Sequence, residues 1–369
     1  MAGKLTQTTL NGWITHLMMR IGSASLTLVI AALILGALLP PAGQIAYAAG
    51  QPRADLYLVD VGRSLSARMS PFPEADNIEP AWSPDGKRLA FISRSDADAL
   101  FHLFVMDVGE RRVQALAPDL RANGLPAWSP DGRKIAFPVV VNGSPQTAIA
   151  IPETGETYIL NLTGGSDSPP MWSPAGKWVM YLSYRDGNPR LYAADVDCNQ
   201  LARGCRFNDM RIMRSVGVGA WPPSWSPDGR TLVFTAALRG DTELYLAVSN
   251  CPIVSTDCME NVRRITDNSD ADYAPSWSPH GKQIAFISNP GGMNNLYLMD
   301  VQTGETRRLT ANGVMGEISW SPDGKQIALV TLSGGRSGID IVDITSGSSC
   351  RLTNLPIMNS TLSWRPAGN

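Results

Sequence analysis

The sequence predicts an all-β fold, a seven-bladed β-propeller with N-/C-terminal ring closure, preceded by one N-terminal hydrophobic helix. Two observations carry this. A Trp-Ser-Pro motif recurs at Trp82, Trp128, Trp172, Trp225, Trp277 and Trp320, with a degenerate copy at Trp364-Arg365-Pro366. Successive tryptophans stand 46, 44, 53, 52, 43 and 44 residues apart, a spacing that fits one four-stranded blade per repeat.

The N-terminus comes first. Residues 1–42 pair a short segment bearing Lys4 and Arg20 with an apolar run over 21–39, ended by Pro40-Pro41. Nineteen helical residues reach about 28 Å, close to the thickness of a hydrocarbon core. The cationic side stays in the cytoplasm, so the chain beyond Leu39 is expected to be exported to the periplasm or cell surface. Two fates stay open. The helix can tether the protein to the cytoplasmic membrane, or a peptidase can cut after the small-x-small sequence Ala46-Tyr47-Ala48. The repeat favours the tether, because it needs residues 44–47 as a strand.

The propeller is expected over 43–369. In each repeat the first strand ends at the tryptophan and Ser-Pro-Asp-Gly turns the chain. A second strand places apolar residues seven and nine positions on, as at Leu89 and Phe91 or Ile284 and Phe286. A third follows, as in Leu103–Val108 or Leu296–Val301, and a short fourth ends in pairs such as Ile265-Thr266 or Leu309-Thr310. Only five residues follow Trp364, so its blade lacks three strands. Gly43–Tyr47, Leu56–Val61 and the stretch around Leu65–Met69 supply them, so the closing blade draws on 43–70 and 359–369. Closure removes open sheet edges.

Cys198 and Cys205 stand 26 and 33 residues after Trp172, and Cys251 and Cys258 stand 26 and 33 after Trp225. The shared register predicts two hairpin disulfides, Cys198–Cys205 and Cys251–Cys258, in an oxidising compartment. Each would stabilise by roughly 2–3 kcal/mol in the chain-entropy model. Free thiols or metal ligands are the alternative, without accompanying histidines and without zinc spacing. Cys350 is expected to be a buried strand thiol.

These residues resemble the TolB-like propeller repeat, a WD-type family written around Trp-Ser-Pro-Asp-Gly-Lys and Leu-Tyr-Val-Met-Asp. The resemblance runs from Gly43 to Asn369, with Ala175, His280 and Ala367 in place of the turn Asp and Arg365 in place of the turn Ser. It implies a non-enzymatic propeller outside the cytoplasm that binds envelope partners. The family's namesake places an α/β domain ahead of its propeller, and here the propeller alone is expected.

Composition narrows the chemistry. A formal net charge of −2 offers no basic field for nucleic acid. Three histidines, one of them in the leader, leave little for catalysis or transition metals, and neither a Gly-x-Ser-x-Gly elbow nor a nucleotide-binding loop occurs. No catalytic residue, metal site or cofactor is therefore expected.

Binding is sought at the channel mouth, three to five residues before each tryptophan. Asn77, Glu79, Asp167, Trp221, Asp272, Tyr273 and Glu317 stand there, a mixture suited to polar ligands, cations or sugars. The bland alternative is that such residues only order water. Trp178 is a possible surface contact, because other repeats carry Arg88, Lys134, Thr231, Gln283 or Gln326 at its position. The expected function is a binding or scaffold module of the cell envelope whose partner is an envelope protein or an extracytoplasmic glycan or peptide. The alternative is a glycan- or peptide-acting hydrolase or lyase using Glu79, Asp167, Asp272 and Glu317.

Overall fold

The structure is a computed structural model that describes residues 43–50, 52–95, 100–160, 168–184, 187, 189–196, 209–211, 221–237, 241–249, 259–310, 313–354 and 356–367. The leader with its expected helix, Asp167 and the two cysteine pairs lie outside the described residues. Among the described residues no helix is long and apolar enough to cross a membrane.

Residues from Gly43 onward form one compact unit of seven four-stranded antiparallel sheets, a seven-bladed propeller. Blade one contains β1 (Gln44–Ala49), β2 (Asp55–Asp60) and β3 (Leu65–Arg68). Blade two is β4 (Ala75–Trp82), β5 (Arg88–Ser95), β6 (His102–Asp107) and β7 (Val113–Leu116). Blade three is β8 (Ala127–Trp128), β9 (Ile135–Val141), β10 (Ser144–Ala150) and β11 (Thr157–Ile159). Blade four is β12 (Met171–Trp172), β13 (Trp178–Ser183), β14 (Arg190–Asp195) and β15 (Asp209–Arg211). Blade five is β16 (Ser224–Trp225), β17 (Thr231–Ala236), β18 (Glu243–Ser249) and β19 (Met259–Arg264). Blade six is β20 (Asp272–Trp277), β21 (Gln283–Ser288), β22 (Asn295–Asp300) and β23 (Thr306–Arg308). Blade seven is β24 (Val314–Trp320), β25 (Gln326–Ser333), β26 (Arg336–Asp343) and β27 (Ser349–Arg351). The last strand, β28 (Ile357–Trp364), pairs with β1 and completes blade one.

Blades pack through the alternation of their second strands. Leu89 and Phe91 of blade two are buried in one cluster with Ala46, Leu56 and Leu58 of blade one. Inside the blades a second regularity appears. The residue nine after the tryptophan stacks on the aromatic opposite it in the third strand: Phe91 on Phe104, Tyr181 on Tyr192, Phe234 on Tyr245 and Phe286 on Tyr297, with centroids 5.6–5.8 Å apart. Tyr47 and Tyr57 repeat the pair at 5.5 Å, so blade one obeys the same register although its strands come from both chain ends. Each such pair contributes about 0.5–1.5 kcal/mol beyond its buried area.

The motif's polar residues hold the turns. Ser83 Oγ donates to Asp85 Oδ1 at 2.5 Å and accepts from Arg88 N at 2.9 Å. The same pair of bonds recurs at Ser129, Ser226 and Ser321. Where Ala175 or His280 replaces the aspartate, the serine still accepts the later N–H, from Trp178 or Gln283 at 3.1 Å. His280 uses its ring on blade seven instead, through Nε2 and the Asp323 carbonyl at 2.9 Å. The Leu-Thr and Ile-Thr pairs also have a structural task. The Thr266, Thr310 and Thr353 hydroxyls each accept an N–H from a third strand, those of Leu244, Leu296 and Ile339.

One expectation fails here. Cys350 lies on the outer strand β27 and is exposed, because a fourth strand has no neighbour on its outer edge.

Candidate functional site

The first strands run the same way round the ring, so equivalent positions lie at the same depth in the channel. In β4 and β20 a bulge falls three residues before the tryptophan, at Glu79 and Ala274, whose φ angles are 55° and 50°. Such left-handed non-glycine residues cost of order 1 kcal/mol each and concentrate at functional sites. The bulge changes which side chains reach the channel.

It carries two sequence candidates away from the mouth. Asn77 and Asp272, both five residues before their tryptophan, are fully buried. Asn77 donates through Nδ2 to the Phe72 and Ala75 carbonyls at 2.9 Å and accepts from Ser93 Oγ at 3.0 Å. Its N–H bonds the Ala54 carbonyl of blade one, just as the Asp272 N–H bonds the Thr242 carbonyl of blade five. These two residues latch neighbouring blades and do not line the channel mouth, which corrects that expectation.

Two other positions remain accessible. Trp221 and Tyr273, each four residues before a motif tryptophan in adjacent blades, stack with centroids 5.0 Å apart and an interplanar angle of 22°. Both are half-buried, resting on a cluster that includes Ala274 and Val314. Partial burial pushes the Tyr273 phenol above its usual pKa. At the junction of blades one and two, half-buried Glu79 accepts a bond from Thr361 Oγ1 at 2.6 Å. Between these junctions lie blades six, seven and one on one side and blades two to five on the other. The carboxylate and the aromatic pair thus stand at junctions three blades apart one way round the ring and four the other. Glu317 lies on β24, its side chain outside what is described.

Trp178 has another role. It is half-buried and packs on the same cluster as Trp225 of blade five, with Lys177 Nζ 5.6 Å from its ring centroid. In blade two the equivalent Arg88 lies over Trp128 of the next blade at 4.7 Å. The position is an interblade contact that either a cation or an aromatic can fill.

A third site was not foreseen. Glu243, at the start of β18, is buried and accepts from Arg264 at 2.6 Å, the Thr266 hydroxyl at 2.5 Å and Asn268 N at 3.1 Å. Asn268 Nδ2 then donates to Asp272 Oδ2 at 2.9 Å. The signal lay in the polar run Thr266–Asp272, rich in carboxylates. Of the described histidines, His102 opens β6 and His280 is a turn residue. Among the described residues no group of three or more His, Cys, Asp or Glu is arranged to hold a metal.

The family model described as the TolB beta propeller domain matches residues 31–157, 78–216 and 170–369. A Tol-Pal system protein TolB of Desulfosudis oleivorans is 33% identical over 132 residues, 36% of this chain and 26% of the relative. The chain spans about a quarter of the length of the curated TolB relatives it matches. Among solved structures, TolB from Acinetobacter baumannii superposes with a TM-score of 0.54 and 18% identity over 92% of this chain and 71% of that one. An oligogalacturonate lyase in complex with manganese gives a TM-score of 0.58 and 14% identity, covering 85% of each chain. At such identities these likenesses show the fold alone.

Proposed function

Because the chain belongs to the TolB beta propeller domain family, we propose that it acts as an exported, non-enzymatic binding or scaffold module of the cell envelope. The observation that carries this reading is the Trp221–Tyr273 stack between blades five and six, with Glu79 at the junction of blades one and two. Aromatic faces give area at low entropic cost, and a carboxylate orients a polar partner. The partner is an envelope protein or an extracytoplasmic glycan or peptide, engaged at the end of the ring where the first strands begin. The match to a Tol-Pal system protein supports an envelope protein.

Export rests on the leader of residues 1–42, and tethering on its remaining attached. Burial supports a chain left uncut at Ala48. Ile45 to Ala49 are each at most 1% exposed, and β1 pairs with β2 on one side and β28 on the other. Cleavage after Ala48 would remove most of a central strand.

Affinity capture from solubilised membranes, run in parallel with wild type, Trp221→Ala and the surface control Lys87→Ala, tests the reading. A partner retained by wild type and the control and lost by Trp221→Ala is the expected result. Identical recovery by all three overturns the channel-end site. Turnover of glycans or peptides that disappears in Glu79→Gln would favour the hydrolase or lyase reading.

A further inference from the structure

We propose that blade one docks, by the end where the motif turns lie, on the surface of the lipid bilayer that holds the leader, with Leu65 reaching below the headgroups and Arg63 at the depth of the phosphates. The inference rests on the reading that the leader stays attached, and adds to it which part of the ring meets lipid.

Three observations converge. First, the chain enters the ring at the turn end. Ile45 pairs with Trp364 and Ala49 with Ile357, so β1 starts beside the end of β28 and runs towards its beginning. The Gly43 carbonyl accepts from Val61 N at 2.8 Å, which sets the entry point against the hairpin between β2 and β3. Second, the connection is short. The apolar run ends at Leu39, and only Pro40-Pro41-Ala42-Gly43 stands between it and β1. Even fully extended, the links from Leu39 to Gln44 span less than about 18 Å, of which the headgroup layer takes roughly 5–8 Å. The hairpin beside Gly43 is therefore held at or just above the headgroups.

Third, this hairpin is apolar where its counterparts are polar. Leu65 is 66% exposed, the most exposed large apolar side chain among the described residues, and stands opposite Asp60 at the base of the turn. Blades two, three, six and seven carry Arg112, Glu156, Glu305 and Ser348 at this place, and each of their carbonyls accepts the N–H opposite. Those side chains suit water, whereas a leucine there is covered only when an apolar layer lies against it. A lone exposed leucine is ordinary on a protein surface; this one stands in the blade that the leader enters.

The charge at the tip agrees. Within Gly62–Leu65 the one charged residue is exposed Arg63, whose N–H donates to Asp60 Oδ1 at 2.9 Å. Arg365 Nη1 donates to Gln44 Oε1 at 2.7 Å, a second cation beside the entry point. A cationic side chain next to an apolar one matches the layering of phosphate above acyl chain. Trp221 and Tyr273, where the first strands begin, then lie at the end of the ring away from this bilayer.

Photocrosslinking of the full chain, reconstituted into vesicles of phosphatidylethanolamine and phosphatidylglycerol, tests the inference. The photoreactive residue p-benzoylphenylalanine replaces Leu65, its neighbour Arg63 or, as a control, Met293, which is 55% exposed between β21 and β22 at the other end of the strands. Mass spectrometry is expected to find lipid adducts for Leu65→p-benzoylphenylalanine, a lower yield at Arg63, and background at Met293. All three side chains are exposed, so the replacements leave the core intact. Carbonate extraction of wild type from native membranes tests the tether separately. Release by carbonate would overturn the tether and the inference with it. Retention with no lipid adduct at Leu65, with adducts to protein alone, or with equal lipid yield at Met293 would overturn the inference and leave the tether standing.

Discussion

Thr361 Oγ1 donates to Glu79 Oε2 at 2.6 Å across 282 residues of chain. Each stands three residues before a motif tryptophan, Trp364 and Trp82. Nearby, Trp82 N donates to Ser363 Oγ at 3.0 Å, so the last strand is stitched to blade two as well as to β1. A hydrogen bond to a carboxylate contributes about 1.5–3 kcal/mol when desolvated, and Glu79 is only half-buried. Thr361→Val is therefore expected to lower unfolding free energy by about 1–2 kcal/mol. A double-mutant cycle with Glu79→Gln, followed by denaturant unfolding, should show coupling; strict additivity would mean the bond contributes nothing to closure.

The turn aspartates make the ring acid-sensitive. The Ser226 hydroxyl and the Arg230 N–H hold the Asp228 carboxyl below its ordinary range. At Asp85, Asp131 and Asp323 burial alone would raise the pKa, but the serine hydroxyl, a backbone N–H and nearby cations outweigh it. A folded pKa below the unfolded value of about 3.9 means that this stabilisation is fully present above about pH 4. It is lost as pH falls through the lower, folded value. Carbon NMR titration of Ser226→Ala should show the Asp228 midpoint rising towards the ordinary value. An unmoved midpoint would remove the serine from the explanation.

Trp178 separates packing from recognition. Arg88 fills the equivalent place over Trp128, so Trp178→Arg should change stability by less than about 1 kcal/mol, whereas Trp178→Ala should cost about 1–3 kcal/mol. Partner capture by Trp178→Arg should match wild type. A variant that folds normally yet loses the partner would return Trp178 to the binding surface.

Much of the architecture was legible because the repeat states it seven times. Trp-Ser-Pro-Asp-Gly sets the start of each second strand, and Tyr47 could be placed in blade one from Gly43–Tyr47 alone. The site was less legible because it consists of departures from the repeat. Counting back from the tryptophan assumes a regular strand, and the bulges at Glu79 and Ala274 break that count, burying Asn77 and Asp272. Trp221 and Tyr273 were visible singly, but their stacking across a blade junction depends on the segment before β16 meeting the start of β20. Cys350 was misjudged because alternation does not protect an outer strand, where both faces approach solvent.

The N-terminus of the native protein is a further check. Since β1 is buried and paired on both sides, intact-mass and peptide analysis of protein from envelope fractions should find no species beginning at Ala49. Such a species would mean that the ring closes without most of β1.

The central claim, that the ring binds its partner at the end where the first strands begin, is tested most directly by hydrogen–deuterium exchange on the captured complex. Protection on binding should map to the segments around Ala75–Glu79 and Asp272–Ala274, beside Trp221. Protection confined to the Ser-Pro-Asp-Gly turns, such as Ser83–Arg88 and Ser321–Gln326 at the opposite end of the same strands, would contradict it.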